Sequence, residues 1–435
     1  MRQPWLWWRK LSRVSPDNKQ EDIQISRTGK RVNMLFVTAG RRVRIAIKAV
    51  SIVVAASLLI GLTSCKPNLD SRVSVEEELS GLKNAEQNIY VSGNKEYQNI
   101  ADYLLYIATE SDFKGSMIVA TDEEIIFAAG TGLPDVDGNE VTPYTTYEIG
   151  SNTKSFVGVC IMSLIESKKL SMDKTIGELF PEYSSFPGYQ KISGITVSDL
   201  LHMRSGLVDY VNNPIDFIGT EKLYEICGPD PESNMSYPEV YRLIEASFDD
   251  GLFLERLFTV EPLSEPDVEF VYNNTNYHLL ALIIEKVSGM TFEEYIGKNI
   301  FEPCKMTTSA VGSVGVMASY EYSEELDYLS DPEFQMGAGG ICSNAVDMLK
   351  FDRALFGGYL LNEKSMNELL TPFDGYACGW QISDGLVYHN GDVPRFSTSN
   401  YMIERDGKRY YIILMSNLKG DYRSVIPKNI SMILV

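Results

Sequence analysis

A serine followed three residues later by a lysine can supply a nucleophile together with its own proton acceptor. This pattern occurs six times in the chain, at Ser80, Ser92, Ser111, Ser151, Ser171 and Ser416. Because one sequence holds so many matches, the spacing alone identifies no site, and the residues around each serine have to separate them. Five of the serines lie in a polar N-terminal stretch, in a charged loop or beside a strand.

Ser151 differs from the other five because it follows a glycine and begins the apolar segment 151–167, which predicts a buried helix. A serine at a helix start has its hydroxyl at the positive end of the helix dipole, and its N–H is free to bind an oxyanion. Lys154 lies nearly one turn later on the same face, and burial lowers the pKa of an amine so that it can take the serine proton. The plainer alternative is a helix-capping serine followed by a solvated lysine.

Two further polar motifs stand at the ends of predicted elements. Tyr-Asn-Asn at 272–274 precedes a second apolar helix, 276–287, and His-Asn-Gly at 389–391 ends a predicted strand. Taken singly, the first is compatible with a plain helix-entry turn and the second with a hydrogen-bonded strand residue. Taken together with the serine and lysine, they form a far more specific pattern.

The three motifs, in this order and at these separations, resemble those of the serine β-lactamase and DD-peptidase superfamily, specifically its class C-like branch of β-lactamases, D-alanyl-D-alanine carboxypeptidases and esterases. That family carries Ser-x-x-Lys, Tyr-x-Asn, and Lys-Thr-Gly or His-x-Gly. Further matching segments are 195–207, 300–303, 306–307 and 337–340. The resemblance runs from about residue 98 to the C-terminus and implies a β-lactamase/transpeptidase-like α+β fold. An antiparallel sheet built from both ends of the domain, with flanking helices and a mostly helical insert, also agrees with the order of the predicted elements.

The resemblance implies a role for each residue that matches the family's motifs. Ser151 is expected to be the nucleophile and Lys154 its proton acceptor. Tyr272 is expected to act as a general base or acid, with neighbouring positive charge favouring its phenolate. Asn274 is expected to hydrogen-bond the substrate amide and to steady Lys154.

The third motif is expected to form the opposite wall of the site. His389 takes the place that a lysine holds in β-lactamases, and Asp392, the residue after Gly391, would complete the oxyanion hole with its N–H. A carboxylate at Asp392 opposes an oxyanion unless it points away. Arg395 could pair with it or bind a substrate carboxylate. The histidine in place of lysine favours a peptidase or esterase over efficient β-lactam hydrolysis.

The charge distribution divides the chain into two parts. Residues 1–65 contain 12 Lys and Arg against 3 Asp and Glu, whereas the remainder carries a net charge of −29. An acidic body argues against nucleic acid as a partner, since like charges repel. The basic residues before the short apolar run 49–62, followed by Cys65, resemble a bacterial lipoprotein signal with Cys65 as the lipidation site; an uncleaved anchor is the alternative. Met34 is a candidate start that would give a signal of ordinary length.

The sequence therefore predicts three parts: an N-terminal extension and signal over 1–65, a polar tether over 66–97, and a serine hydrolase domain over 98–435. Within the domain, an α/β part comprises about 98–165 and 335–435, and a helical part comprises about 166–334. The other cysteines and the histidines are scattered, with neither a disulfide framework nor metal-ligand spacing. Neither a metal nor a cofactor is expected.

Together these features predict a lipid-anchored, extracytoplasmic serine hydrolase of the bacterial cell membrane. It would act through an acyl-enzyme on a D-alanyl peptide or a small amide or ester, so its partners would be that substrate and the membrane. One alternative is an esterase or weak β-lactamase on the same scaffold. Another is a penicillin-binding sensor that acylates without turnover or no longer acylates.

Overall fold

The computed structural model describes residues 74–81, 83–84, 88–132, 138–312, 332–418 and 420–434. The predicted extension, signal and lipidated Cys65 lie outside these ranges and stay predictions. Within the ranges, no helix combines the length and apolar character needed to span a bilayer.

Strands from both ends of the domain build one antiparallel sheet. Among the described residues its order is β1-β2-β4-β3-β11-β10-β9-β8, with bounds β1 Lys83–Asn84, β2 Ile89–Val91, β3 Gly115–Thr121, β4 Ile125–Thr131, β8 Gln381–Ser383, β9 Leu386–Val393, β10 Phe396–Arg405 and β11 Lys408–Ser416. The junction is the β3–β11 pair, in which Ile118 lies opposite Ile413. The predicted sheet assembled from both ends of the domain is confirmed.

A second, smaller sheet lies next to the nucleophile turn in the chain. It has the order β5-β7-β6, formed by β5 Tyr147–Glu148, β6 Ala310–Val311 and β7 Ile341–Ser343. Because β5 ends two residues before Gly150, the pairing of β5 with β7 fixes the backbone that enters the Ser151 turn.

Helices fill the rest of the described chain. They are α1 Val75–Gly81, α2 Gln98–Glu110, α3 Thr153–Glu166, α4 Ile176–Leu179, α5 Tyr189–Ile192, α6 Val197–Leu201, α7 Pro214–Ile218, α8 Thr220–Cys227, α9 Pro231–Asn234, α10 Tyr237–Ala246, α11 Asp250–Leu257, α12 Asn274–Ser288, α13 Phe292–Ile296, α14 Glu302–Cys304, α15 Pro332–Gly339, α16 Ala345–Phe356, α17 Glu363–Leu369 and α18 Tyr422–Ile433. Between β5 and β6 the chain is therefore mostly helical, as predicted.

The large sheet is covered on both faces, which explains why β3 and β11 read as continuous apolar runs rather than alternating ones. Met117 and Val119 pack with α2 and α18 on one face, whereas Ile118 and Ala120 belong to the main core with α3 and α16 on the other. At about 25 cal/mol per Å² of apolar surface removed from water, this double burial is the main favourable term holding the sheet in place.

The predicted tether over 66–97 is wrong for the described residues 75–81 and 88–97. Val75 and Leu79 of α1 are buried in the main core, and Glu78 forms an ion pair with Arg353 of α16. The β2 strand pairs with β4. The acidic residues of this stretch suggested a solvated linker. Its few apolar residues, however, lie on one side of α1 and on β2, where they pack on the domain.

Candidate active site

Ser151 lies in a 3-10 turn, Gly150–Asn152, that leads directly into α3. Gly150 has φ +53°, a conformation that disfavours residues with a Cβ, and a Cβ there would lie 3.1 Å from the Asp392 nitrogen. The glycine before the nucleophile therefore allows the turn to approach β9 closely. That approach places the Ser151 turn beside the backbone N–H of Asp392.

Lys154 is fully buried in the first turn of α3. Its Nζ donates to Ser151 Oγ at 3.0 Å, to Asn274 Oδ1 at 2.9 Å and to the Ala338 carbonyl at 2.6 Å. Burial lowers the pKa of Lys154 to about 7, against the opposing effect of the negative charge on Asp209. The solvated lysine of the plainer alternative is therefore excluded, and the amine can exchange a proton with Ser151 near neutral pH.

Tyr272 lies partly buried on the other side of Ser151, with its ring centroid 5.0 Å from Lys154 Nζ. Burial raises the pKa of its phenol, the Asp209 charge raises it further, and a hydrogen bond with Ser151 lowers it by less. The expected phenolate is therefore disfavoured despite the nearby amine. Tyr272 remains protonated at neutral pH, so its hydroxyl is a proton donor.

Asn274 begins α12 and links Lys154 to a buried carboxylate behind it. Its Oδ1 accepts from Lys154, and its Nδ2 donates to Asp209 Oδ2 at 3.1 Å. The preceding Asn273 caps α12 by accepting from the Thr275 N–H at 2.8 Å, and it donates to the Leu207 carbonyl. Asn274 is thus held in one rotamer by contacts on both sides of its amide.

Asp209 is a site-supporting residue that the sequence did not indicate. It is 5% exposed, and it accepts hydrogen bonds from the backbone N–H groups of Val211, Asn212 and Asn274. In the sequence it lies two residues past the matching segment 195–207 and belongs to no motif. Only the fold, which brings this loop behind α12, shows what it contacts.

An Asp209→Asn substitution is expected to shift the acid limb of the kcat/KM profile to lower pH. The carboxylate raises the pKa of Lys154, so its removal lowers that pKa further and leaves the amine free at more acidic pH. The new NH₂ group would also face N–H donors, which costs about 1–3 kcal/mol of stability. Thermal unfolding and pH-rate profiles test both effects; Asp216→Asn, at an exposed position in α7, should change neither.

Strand β9 reaches the nucleophile turn at Gly391. A Cβ on Gly391 would lie 1.9 Å from the Ile149 carbonyl oxygen and 2.4 Å from Thr398 Oγ1, so no other residue fits there. Asn152, with its amide oriented to satisfy both ends, donates to the His389 carbonyl at 2.8 Å and accepts from the Gly391 N–H at 3.2 Å. Asn152 and Thr398, neither indicated by the sequence, therefore fix the turn against the strand.

His389 is buried at the inner end of this contact. Its Nδ1 lies 2.7 Å from the Asn390 carbonyl, which can only accept, so Nδ1 carries the proton. Its Nε2 lies 3.1 Å from Tyr376 Oη and accepts that hydroxyl. Burial lowers the pKa of His389 to about 3, and the charge on Lys154 contributes, so the ring is neutral.

Asp392 and Arg395, the two charged residues at the end of β9, do not pair with each other. Arg395 forms an ion pair with Glu148 of β5. Asp392, whose side chain is 46% exposed, forms an ion pair with Arg423 of α18 at 2.8 Å. Of the two roles considered for Arg395, pairing with Asp392 is not found, because alternation along β9 sends the Asp392 side chain outward while its N–H faces the turn.

In the part of the chain described here, no three metal-ligating side chains lie together. The structure thus brings together Ser151, Lys154, Tyr272, Asn274, His389, Gly391 and the backbone of Asp392. Nucleophile, amine, phenol and two N–H groups in this arrangement have the chemistry needed for acyl transfer.

Comparison with known proteins finds relatives in sequence and in fold. "Putative penicillin-binding protein PbpX" of Bacillus subtilis (strain 168) is 28% identical over 378 residues, which cover 82% of each chain. Two solved structures share the fold. FmtA of Staphylococcus aureus has a TM-score of 0.58 at 21% identity, covering 84% of this chain and 96% of that one. D-amino acid amidase of Ochrobactrum anthropi SV3 has a TM-score of 0.56 at 20% identity, covering 78% and 98%.

A family model described as Beta-lactamase matches residues 109–435, about three quarters of the chain. The matched range contains all of the side chains assembled above, and the predicted β-lactamase/transpeptidase fold is confirmed. The assignment of this chain to the class C-like branch of the superfamily stays a prediction. The chain belongs to the Beta-lactamase family, whose members are generally serine hydrolases.

Proposed function

We propose that this protein is a serine hydrolase of the cell envelope that works through an acyl-enzyme on Ser151. The observation that carries the proposal is the buried Lys154 amine, 3.0 Å from Ser151 Oγ, with its pKa lowered to about 7. An amine with that pKa is partly unprotonated at neutral pH and can take the serine proton during attack.

In the acylation step, Ser151 Oγ forms a bond to the substrate carbonyl carbon while its proton passes to Lys154. The N–H groups of Ser151 and Asp392 stabilise the negative charge that develops on the carbonyl oxygen. Both donors belong to backbone that is fixed by close packing at Gly150 and Gly391, so they need little reorganisation as the charge forms.

In the next step the bond to the leaving nitrogen or oxygen breaks, and the leaving group takes a proton. Tyr272 is suited to deliver that proton because its phenol is protonated and lies next to Lys154, whose ammonium can then return a proton to the phenol oxygen. Water then attacks the ester carbonyl and Lys154 takes the water proton. As the bond from the carbonyl carbon to Ser151 Oγ breaks, Lys154 returns that proton to Oγ, and the acid and free Ser151 are released.

The substrate class is a D-alanyl peptide or a small amide or ester. Relatives named as a penicillin-binding protein and a D-amino acid amidase support a carbonyl next to a D-configured centre. The predicted lipoprotein signal with Cys65 supports a location at the outer face of the membrane. An esterase or weak β-lactamase on this scaffold remains the alternative, and turnover of matched ester, peptide and cephalosporin substrates separates the two.

The sensor alternative loses the observation that motivated it. It rested on a carboxylate beside the oxyanion hole, but the Asp392 carboxylate is held by Arg423 on the exposed side of β9. The proposal of an enzyme that turns over is therefore favoured over the sensor.

Incubation with a fluorophosphonate probe, followed by intact mass and peptide mapping, tests the proposal. We expect one adduct, on the peptide that contains Ser151. A Ser171→Ala variant should label like the wild type, since it removes the same Ser-x-x-Lys pattern at an exposed position. Absence of an adduct would contradict the proposal. A penicillin adduct that persists for hours, without ester turnover, would favour the sensor instead.

A further inference from the structure

The cations around the site are bound by acceptors from this chain. Lys154 makes three hydrogen bonds, to Ser151, Asn274 and the Ala338 carbonyl, which use all three donors of its ammonium. This arrangement suits proton exchange with the nucleophile. It leaves no ammonium hydrogen for a negatively charged group of a substrate.

His389 offers no charge and no ring donor either. Nδ1–H is taken by the Asn390 carbonyl, and Nε2 accepts the Tyr376 hydroxyl. The ring is 1% exposed, and burial keeps its pKa at about 3. At the place where β-lactamases carry a lysine, this chain therefore presents a neutral ring with both nitrogens occupied.

The arginines on the neighbouring elements are bound in ion pairs. Arg395, in the turn after β9, pairs with the buried carboxylate of Glu148, and Arg423 pairs with Asp392. Arg204, beside the loop that leads to Tyr272, binds both Asp267 and Asp374. Each of these three arginines therefore has at least one carboxylate partner, and the Nε of Arg395, which has none, is buried.

The charge of the whole body acts in the same direction. Residues 66–435 carry a net charge of −29. This charge disfavours the approach of anionic substrates compared with neutral or cationic ones. Because the described cations around the site are already bound by acceptors of this chain, a carboxylate that enters the cleft would lose water and gain little from them, which is unfavourable. The local pairs and the overall field thus exclude the same chemical group.

We propose that the preferred acyl donors carry no carboxylate near the scissile bond: they are esters or amides whose leaving group is neutral or cationic. This inference rests on the proposed acyl-enzyme function and narrows its substrate class. It makes a carboxypeptidase role on peptides ending in free D-alanine the poorer fit. Glu148 becomes a specificity-determining residue, because it binds the arginine nearest in sequence to the Asp392 N–H.

The test compares N-acyl-D-alanyl-D-alanine with its C-terminal carboxamide, which differ only in the carboxylate. An N-acyl-D-alanine methyl ester forms a third arm, to distinguish ester from amide substrates. We expect kcat/KM for the carboxamide to exceed that for the acid by at least about 10-fold, the scale of losing one charged hydrogen-bond partner. Equal rates, or a preference for the acid, would overturn the inference alone. Failure of every substrate and probe to acylate Ser151 would overturn the proposed function and the inference together.

A Glu148→Gln variant tests the assigned cause. Loss of the carboxylate releases Arg395, so the ratio of carboxamide to acid should fall several-fold. The matched control is Asp122→Asn, which releases Arg409 from a similar ion pair at the other end of β11 and should keep the wild-type ratio. Equal ratios in the two variants would contradict the role of Glu148. If Glu148→Gln fails to fold, Glu148→Asp keeps the charge but shortens the side chain and weakens the same ion pair with Arg395, so the ratio should fall in the same direction.

Discussion

A Ser151→Ala variant is expected to lose at least about 10³-fold in kcat on any ester or amide that the wild type hydrolyses, because it removes the hydroxyl proposed to form the covalent bond. The substitution removes one oxygen at a position whose backbone is fixed by β5 and β9, so the fold should be retained. Steady-state kinetics and thermal unfolding on the same preparation measure the two effects separately.

The control for this prediction comes from the chain itself. Ser171 has a lysine at the same spacing, but it is exposed, and its Lys174 pairs with Glu178 in an i,i+4 salt bridge. Ser171→Ala should therefore keep wild-type kinetics. Residual activity in Ser151→Ala within a few-fold of the wild type would show that another group attacks the substrate.

A Lys154→Met variant is expected to lose about 10²–10⁴-fold in kcat, the usual contribution of a positioned general base. Methionine fills the volume of the stem but cannot accept a proton. In the wild type, kcat/KM should rise with pH and level off above about 7, because the fraction of unprotonated Lys154 rises through its lowered pKa. In Lys154→Met this acid limb should be absent.

Lys174→Met is the matched control, since it removes a surface lysine from the same tetrapeptide pattern. It should leave both kcat and the pH profile unchanged. A Lys154→Met enzyme with the wild-type acid limb would assign that limb to another residue and contradict the role of Lys154.

The fold and the proximity of Ser151, Lys154 and Asn274 could be predicted because they depend on short sequence motifs in a fixed order. The glycine and apolar run at Ser151 predict a buried helix start, and the structure has a 3-10 turn leading into α3. Apolar runs at both ends of the domain predict a sheet built from those ends. These features need only periodicity and motif order, which a single sequence carries.

The supporting residues could not be predicted because their partners are far away in the sequence. Asp209 contacts Asn274, 65 positions later, and Arg395 finds Glu148 rather than the nearby Asp392. The expectation of a phenolate at Tyr272 was wrong for a related reason. The sequence places a lysine near it, but the extent of burial, which raises the phenol pKa, follows from packing. The prediction of a tether was wrong because short apolar patches in an acidic stretch can still pack on a domain.

The contact between the Ser151 turn and the C-terminal strands also has a consequence for timing. Asn152 bonds Thr398 across 246 positions, and the Asp392 N–H reaches the turn only when β9 and β10 are in the sheet. A chain that emerges N-terminus first therefore carries a nucleophile without an oxyanion hole until nearly its whole length has been delivered. We therefore expect hydrolysis to begin only after the last strands have joined the sheet, and a chain that is still being synthesised to be inactive.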